Sequence, residues 1–175
     1  MSVLPEPEGL VRAEALMRRA IRIARTTPED DVPVGAFIID AAGRELAAAT
    51  NRREVDGDPT AHAEILAIRS AARVHGDGWR LTGCTLVVTL EPCTMCAGAL
   101  MDARVDAVIF GAFEPRTGAC GSVRDVLRPS GAVRWPAVRG GVLGVECAEL
   151  MTGFFDRFRG HAGVQVTGRG GGNCP

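Results

Sequence analysis

Two short segments carry residues able to do chemistry together: His62-Ala63-Glu64 and Pro92-Cys93-Thr94-Met95-Cys96. Cys93 and Cys96 stand at i and i+3, about 300° apart around a helix, so both sulfurs can reach one ion. Each segment falls at the expected start of a helix, where the partial positive charge of the backbone amides lowers a thiol pKa and favours the zinc-binding thiolate. His62, Cys93 and Cys96 then supply three ligands and leave the fourth tetrahedral position open for water, the arrangement of a catalytic rather than a structural zinc. Glu64 follows His62 by two positions, about 200° around a regular helix, so the two side chains diverge on a lateral face and converge only at a helix tip. There a carboxylate beside the activated water can take its proton and pass it to a leaving group.

Taken singly, each segment has a plainer reading. His-x-Glu is common at surface helix starts, and Cys-x-x-Cys also serves redox pairs and structural zinc sites. A closed zinc site with Cys120 as fourth ligand is the alternative from outside the enzymes, but it leaves Glu64 without a task. His75 beside Gly76 reads as a helix end and His161 as part of a tail, while Cys84 and Cys147 behave as small hydrophobes. Phe154, Phe155 and Phe158 are spaced as the core face of a helix, with base stacking as the alternative. At Gly35 the sequence leaves open close approach of a base and close packing.

These segments need elements to hold them. Leu10 to Arg25 carries Leu10, Ala13, Met17, Ala20, Ile21 and Ala24 on one stripe with Arg18, Arg22 and Arg25 opposite, which predicts an amphipathic first helix. Pro33 to Ile39 reads as a buried strand, joined through the turn Asp40-Ala41-Ala42-Gly43 to a second strand over about Glu45 to Thr50. A polar loop from Asn51 to Thr60 leads into a helix over about Ala61 to Val74, its start marked by Asp58-Pro59-Thr60 and its end by Gly76-Asp77-Gly78. Cys84 to Leu90 is an apolar, β-branched strand, a short helix runs from the Cys-x-x-Cys to about Arg104, and Asp106 to Gly111 is the next strand, so a parallel crossover is expected. After the Gly-rich stretch Ala112 to Ser122 come a strand near Val138 to Val142 and a closing helix from Glu146 to Arg159; from Gly160 the sequence predicts a disordered tail. The expected organisation is an extension over 1–9, one domain over 10–159 and a tail over 160–175.

Composition narrows the setting. A chain of 175 residues and 18.4 kDa, 46% hydrophobic and 23% charged, builds one globular domain. Its net charge of -1 and pI near 6.3 exclude a polybasic, histone-like protein. Residues 124–175 nevertheless carry seven arginines against four acids, a local basic balance of the kind an RNA ligand requires. The start Met1–Pro7 has no signal character, and no apolar run approaches the roughly 18 residues of a membrane span. A cytoplasmic protein with six reduced cysteines and no membrane partner is expected.

The order His-x-Glu, helix, strand, Pro-Cys-x-x-Cys resembles the zinc-dependent nucleobase deaminases. Pro33-Val34-Gly35-Ala36, Asn51, the stretch Asp58 to Glu64, the stretch Thr89 to Ala99, and Thr117-Gly118-Ala119-Cys120-Gly121-Ser122 narrow the resemblance. Across about Leu10 to Arg159 the chain resembles the bacterial tRNA-specific adenosine deaminases of the zinc-dependent cytidine/deoxycytidylate deaminase family. That resemblance implies an α/β protein, a three-layer α/β/α cytidine-deaminase-like fold with a mixed five-stranded sheet. It also implies a homodimer, one Zn²⁺ per chain and hydrolytic conversion of wobble adenosine to inosine in a tRNA anticodon stem-loop. By motif position His62, Cys93 and Cys96 match the zinc ligands, Glu64 the proton shuttle, and Asn51 and Ala63 the substrate-binding residues. The same zinc site would also serve a free-base or nucleoside deaminase acting on cytosine or guanine. The chain departs from the family's usual Arg-Asp and Lys at Phe113-Glu114-Pro115-Arg116, and from its His-Arg at Arg134-Trp135-Pro136.

Overall fold

The computed structural model describes residues 7–161 other than 129 and 131–133. The strands are β1 (Gly35–Ile39), β2 (Glu45–Thr50), β3 (Thr85–Leu90), β4 (Ala107–Ala112) and β5 (Ala137–Arg139). The helices are α1 (Pro7–Ala24), α2 (Arg53–Asp56), α3 (Ala63–His75), α4 (Thr94–Asp102) and α5 (Gly144–His161). The strands form one mixed sheet in the order β2-β1-β3-β4-β5, with β1 antiparallel to both neighbours and β3, β4 and β5 parallel.

The two-residue period of the strands sorts their side chains into two cores. Ala36, Ile38, Leu86, Val88, Val108 and Phe110 pack with Ala67 and Ala71 of α3 and with Ala97 and Leu100 of α4. Phe37, Ile39 and Val87 point the other way, onto Met17 and Ile21 of α1 and Cys147 of α5. The result is the three-layer α/β/α arrangement that the resemblance implied. Gly35 is explained by packing: a Cβ there would lie 2.4 Å from the Ala24 nitrogen and 2.5 Å from the Ala20 oxygen, so only glycine lets α1 lie against β1.

Several boundaries differ from expectation for identifiable reasons. β1 starts at Gly35 rather than Pro33, because proline has no N–H to give a ladder. α3 starts at Ala63, since the carboxylate of Asp58 accepts from the Thr60 N–H (2.7 Å) and hydroxyl (2.7 Å) instead of capping the helix. The polar loop contains α2, whose Glu54 and Val55 N–H groups donate to the buried Asp31 carboxylate at 3.0 and 3.2 Å; this cap comes from far back in the chain and leaves no local signature. β5 ends at Arg139, short of Val142, where Gly140 passes beneath the Phe110 ring and Gly141 takes φ +77°. α5 continues through Gly160 and His161, two positions assigned to a tail, while residues 162–175 lie outside the described residues. The basic balance of the last third is split by internal pairs, Arg128 with Asp125 and Arg134 with Asp106.

Candidate active site

The sheet brings the N-terminal ends of α3 and α4 together. His62 precedes α3 in extended conformation (φ -71°, ψ 148°), and Cys93 precedes α4 in the same region (φ -74°, ψ 175°). Because His62 sits just outside the helix, its ring and the side chain of Glu64 face one cavity, which is the helix-tip convergence the spacing required. The Nδ1 of His62 lies 3.8 Å from Cys93 Sγ and 3.5 Å from Cys96 Sγ. An ion with Zn–S near 2.3 Å and Zn–N near 2.0 Å has tetrahedral N···S edges of about 3.5 Å, so the donor set fits zinc. All three ligating atoms fall within 4.8 Å of one another, a group positioned for one metal ion.

The electrostatics favour a thiolate at Cys93, while the Cys96 thiol is raised by its hydrogen bond to Cys93 and by burial. The Cys93 thiol is pushed down to about 3, mainly by the hydrogen bond from the Cys96 thiol and also by His62. His62 is raised, chiefly by Cys93. Glu64, 4% exposed, is pushed up by burial. A carboxyl raised in this way is better suited to hold and release a proton near neutrality. Cys120 stands apart from the cluster: its Sγ is directed at the Pro92 carbonyl, 4.0 Å away, and burial pushes it up to about 12. Among the described residues no fourth side chain joins the group, and three ligands are what a catalytic zinc uses.

The cavity, about 210 Å³, is lined by His62, Ala63, Glu64, Cys93 and Asn51, five of the six residues matched by motif position to metal, proton shuttle or substrate, and the sixth, Cys96, is buried. Asn51 is 7% exposed; its Nδ2 donates to the Val32 carbonyl at 3.2 Å, and its Oδ1 is buried without a partner. An orphaned acceptor at a cavity wall is costly unless a ligand donates to it.

Of the other wall residues, Arg53 from α2 and Met151 from α5 carry no sequence signal of their own, whereas Glu114 and Thr117 from the loop after β4 and Phe155 from α5 fall in segments the sequence marks out. Of the expected aromatic stripe, Phe154 is buried and Phe155 is 46% exposed and borders the cavity, while the Phe158 side chain lies outside the described residues. Phe155 also borders two wider hollows of about 630 and 700 Å³ on either side, the second including Phe113 and Arg116. Phe113, at one departure from the family pattern, stacks edge-on against Phe110 at 5.1 Å. Glu91, within the stretch Thr89 to Ala99, is 2% exposed and accepts from the loop after β4. Burial raises its pKa, but the Ser122 hydroxyl and the N–H groups of Glu114, Ser122 and Cys120 outweigh this and leave the carboxyl below its usual range.

Residues 11–112 match the cytidine and deoxycytidylate deaminase zinc-binding region, and the chain belongs to that family. Within it, the chain is 40% identical over 151 residues to the tRNA-specific adenosine deaminase of Bacillus subtilis, covering 86% of this chain and 92% of that one. With the Agrobacterium fabrum tRNA-specific adenosine deaminase it shares 43% identity over 141 residues, 79% of this chain and 91% of that one. It is also 40% and 42% identical to proteins named tRNA(Ile)-lysidine synthase in Deinococcus deserti and Deinococcus radiodurans, but spans only 29% and 25% of their lengths. A structure from a study of A-to-I editing by tRNA:A34 deaminases at the wobble position superposes with a TM-score of 0.71 at 42% identity, covering 78% of this chain and 98% of that one. A guanine deaminase from Nitrosomonas europaea is more distant, with a TM-score of 0.57 at 28% identity, covering 87% of this chain and 86% of that one.

Proposed function

We propose that this protein is a zinc-dependent hydrolytic deaminase that converts wobble adenosine to inosine in a tRNA anticodon stem-loop. The observation that carries the reading is the placement of Glu64: buried, outside the ligand triad, and facing the same cavity as His62, Cys93 and the unpaired Asn51 oxygen. His62, Cys93 and Cys96 hold the zinc, which when bound lowers the pKa of water at its open position to about 7. Glu64 takes a proton from the attacking water and places it on N1 of adenine as the water oxygen bonds to C6; it then carries the second proton from that oxygen to N6, the C6–N6 bond breaks, and ammonia leaves a product with C6=O and N1–H. Asn51 and Ala63 seat the base, with the Asn51 oxygen accepting from a base N–H.

The cavity of about 210 Å³ suits one base, and the hollows beside Phe155 give room for neighbouring nucleotides splayed from a loop. A free-base deaminase needs only the first. We infer further that the protein acts as a homodimer in the cytoplasm, since α4 leaves Met95 exposed and Ala99 and Met101 half-buried, small and apolar groups suited to packing across a two-fold axis. Among the described residues no helix is long and apolar enough to cross a membrane. The test is ammonia release from an anticodon stem-loop RNA, adenosine, cytosine and guanine in parallel. Turnover confined to the RNA is expected, and turnover of guanine or cytosine with none of the RNA assigns the free-base reaction instead.

A further inference from the structure

Glu91 is a buried carboxylate for which the chemistry above has no use. It lies one residue beyond β3 and directly before Pro92-Cys93, so its backbone leads into the metal-binding segment. Its Oε1 accepts from the N–H groups of Cys120 and Ser122, each at 3.0 Å, and its Oε2 accepts from the Glu114 N–H at 3.0 Å and from the Ser122 hydroxyl. All four donors belong to the loop after β4, and among the described residues no arginine pairs with the carboxylate. The same loop is tied to the metal segment by a bridge between Cys93 and Gly118 and by the Ala119 N–H donating to the Pro92 carbonyl at 2.9 Å. Gly118 fits beside Glu91 only because it lacks a Cβ, which would lie 2.5 Å from Oε2.

We propose that Glu91 is a positioning residue for substrate binding, holding the wall made by Glu114 and Thr117 at a fixed distance from Cys93. Resting on the deaminase reading above, this assigns Glu91 to the grip on RNA, whereas Glu64 acts on the bond that breaks. Only an acceptor with two free oxygens can satisfy four donors arranged in this way, which is why a carboxylate and not an amide occupies the position.

Glu91→Gln is isosteric but turns one acceptor into a donor; with Nε2 in the place of Oε2 the Ser122 hydroxyl can rotate to accept from it, and the Glu114 N–H loses its partner. In the full zinc-loaded chain the expected result is one zinc per chain, unchanged amide exchange in β1 and β3, and about tenfold or faster exchange over residues 114–122. KM for the anticodon stem-loop should rise about tenfold or more while kcat stays within about threefold. Ser122→Ala removes one donor and should move KM and exchange in the same direction by a smaller factor, which keeps the test in force if the Gln variant does not fold. Loss of active fraction through general destabilisation lowers kcat and leaves KM alone. That pattern, or unchanged exchange over 114–122, or faster exchange without a rise in KM, overturns the proposal. Failure of the parent reading is distinct: the unaltered protein then forms no inosine at all.

Discussion

The His62 Nδ1 and the Cys96 Sγ lie 3.5 Å apart although 34 positions separate them in the chain. The contact exists because α3 and α4 pack on the same face of the sheet with their N-terminal ends together, so the metal site depends on the fold before it depends on the metal. Cys93→Ala should therefore abolish stoichiometric zinc, whereas Cys120→Ala should keep it. Metal content by mass spectrometry decides this, and the spectrum of a cobalt-substituted sample should report two thiolates.

In the proposed reaction Glu64 moves protons and does not bind the ion. Glu64→Gln should retain one zinc per chain and lose about 10²–10⁴-fold in turnover. Zinc loss equal to that of Cys93→Ala would contradict the role.

Two glycine substitutions should act in opposite directions. Gly35→Ala forces a Cβ to 2.4 Å from the Ala24 nitrogen, and separating α1 from β1 should cost about 1–3 kcal/mol. Gly153→Ala lies within α5 with nothing within 4 Å of the added Cβ, and should stabilise by about 0.5–1 kcal/mol through higher helix propensity. Thermal melts of the two variants beside the unaltered protein check both signs.

The chain contains neither lysine nor tyrosine, so among side chains only cysteines titrate between about pH 9 and 11. Burial pushes Cys84 and Cys147 up to about 11. Below pH 9 both folded and unfolded states hold these protons. Above it the unfolded state releases them first, so stability should fall as pH rises from 9 to 11. Melting temperatures across that interval should decline, and a Cys84→Ala, Cys147→Ala double variant should decline less steeply from its own lower starting point.

Much of this molecule is legible in its sequence because its signals are local. His62 and the Cys-x-x-Cys spacing announce the group positioned for a metal ion, and the unbroken apolar runs of β1 and β3 announce a sheet covered on both faces. What was hidden depends on contacts distant in sequence. Asp31 caps α2 from 23 and 24 positions away, Glu91 gathers a loop 23 to 31 positions later, and Phe155 turns toward the cavity while its neighbour Phe154 enters the core. No periodicity records such relationships, because a carboxylate in a loop reads as a solvated charge until its partners are known. Gly35 shows the same limit: the residue type said that something comes close, and the fold identified it as α1.

In the proposed function Glu64 and the His62, Cys93 and Cys96 cluster act on water to deaminate one base of an RNA loop. The most direct measurement is reaction of the zinc-loaded protein with an adenosine-34 anticodon stem-loop in ¹⁸O-enriched water, followed by nuclease digestion and mass analysis of the nucleosides. The expected result is inosine at the wobble position alone, carrying one ¹⁸O, and none with Glu64→Gln. Unaltered adenosine in the RNA, together with labelled xanthine formed from guanine under the same conditions, would contradict the assignment.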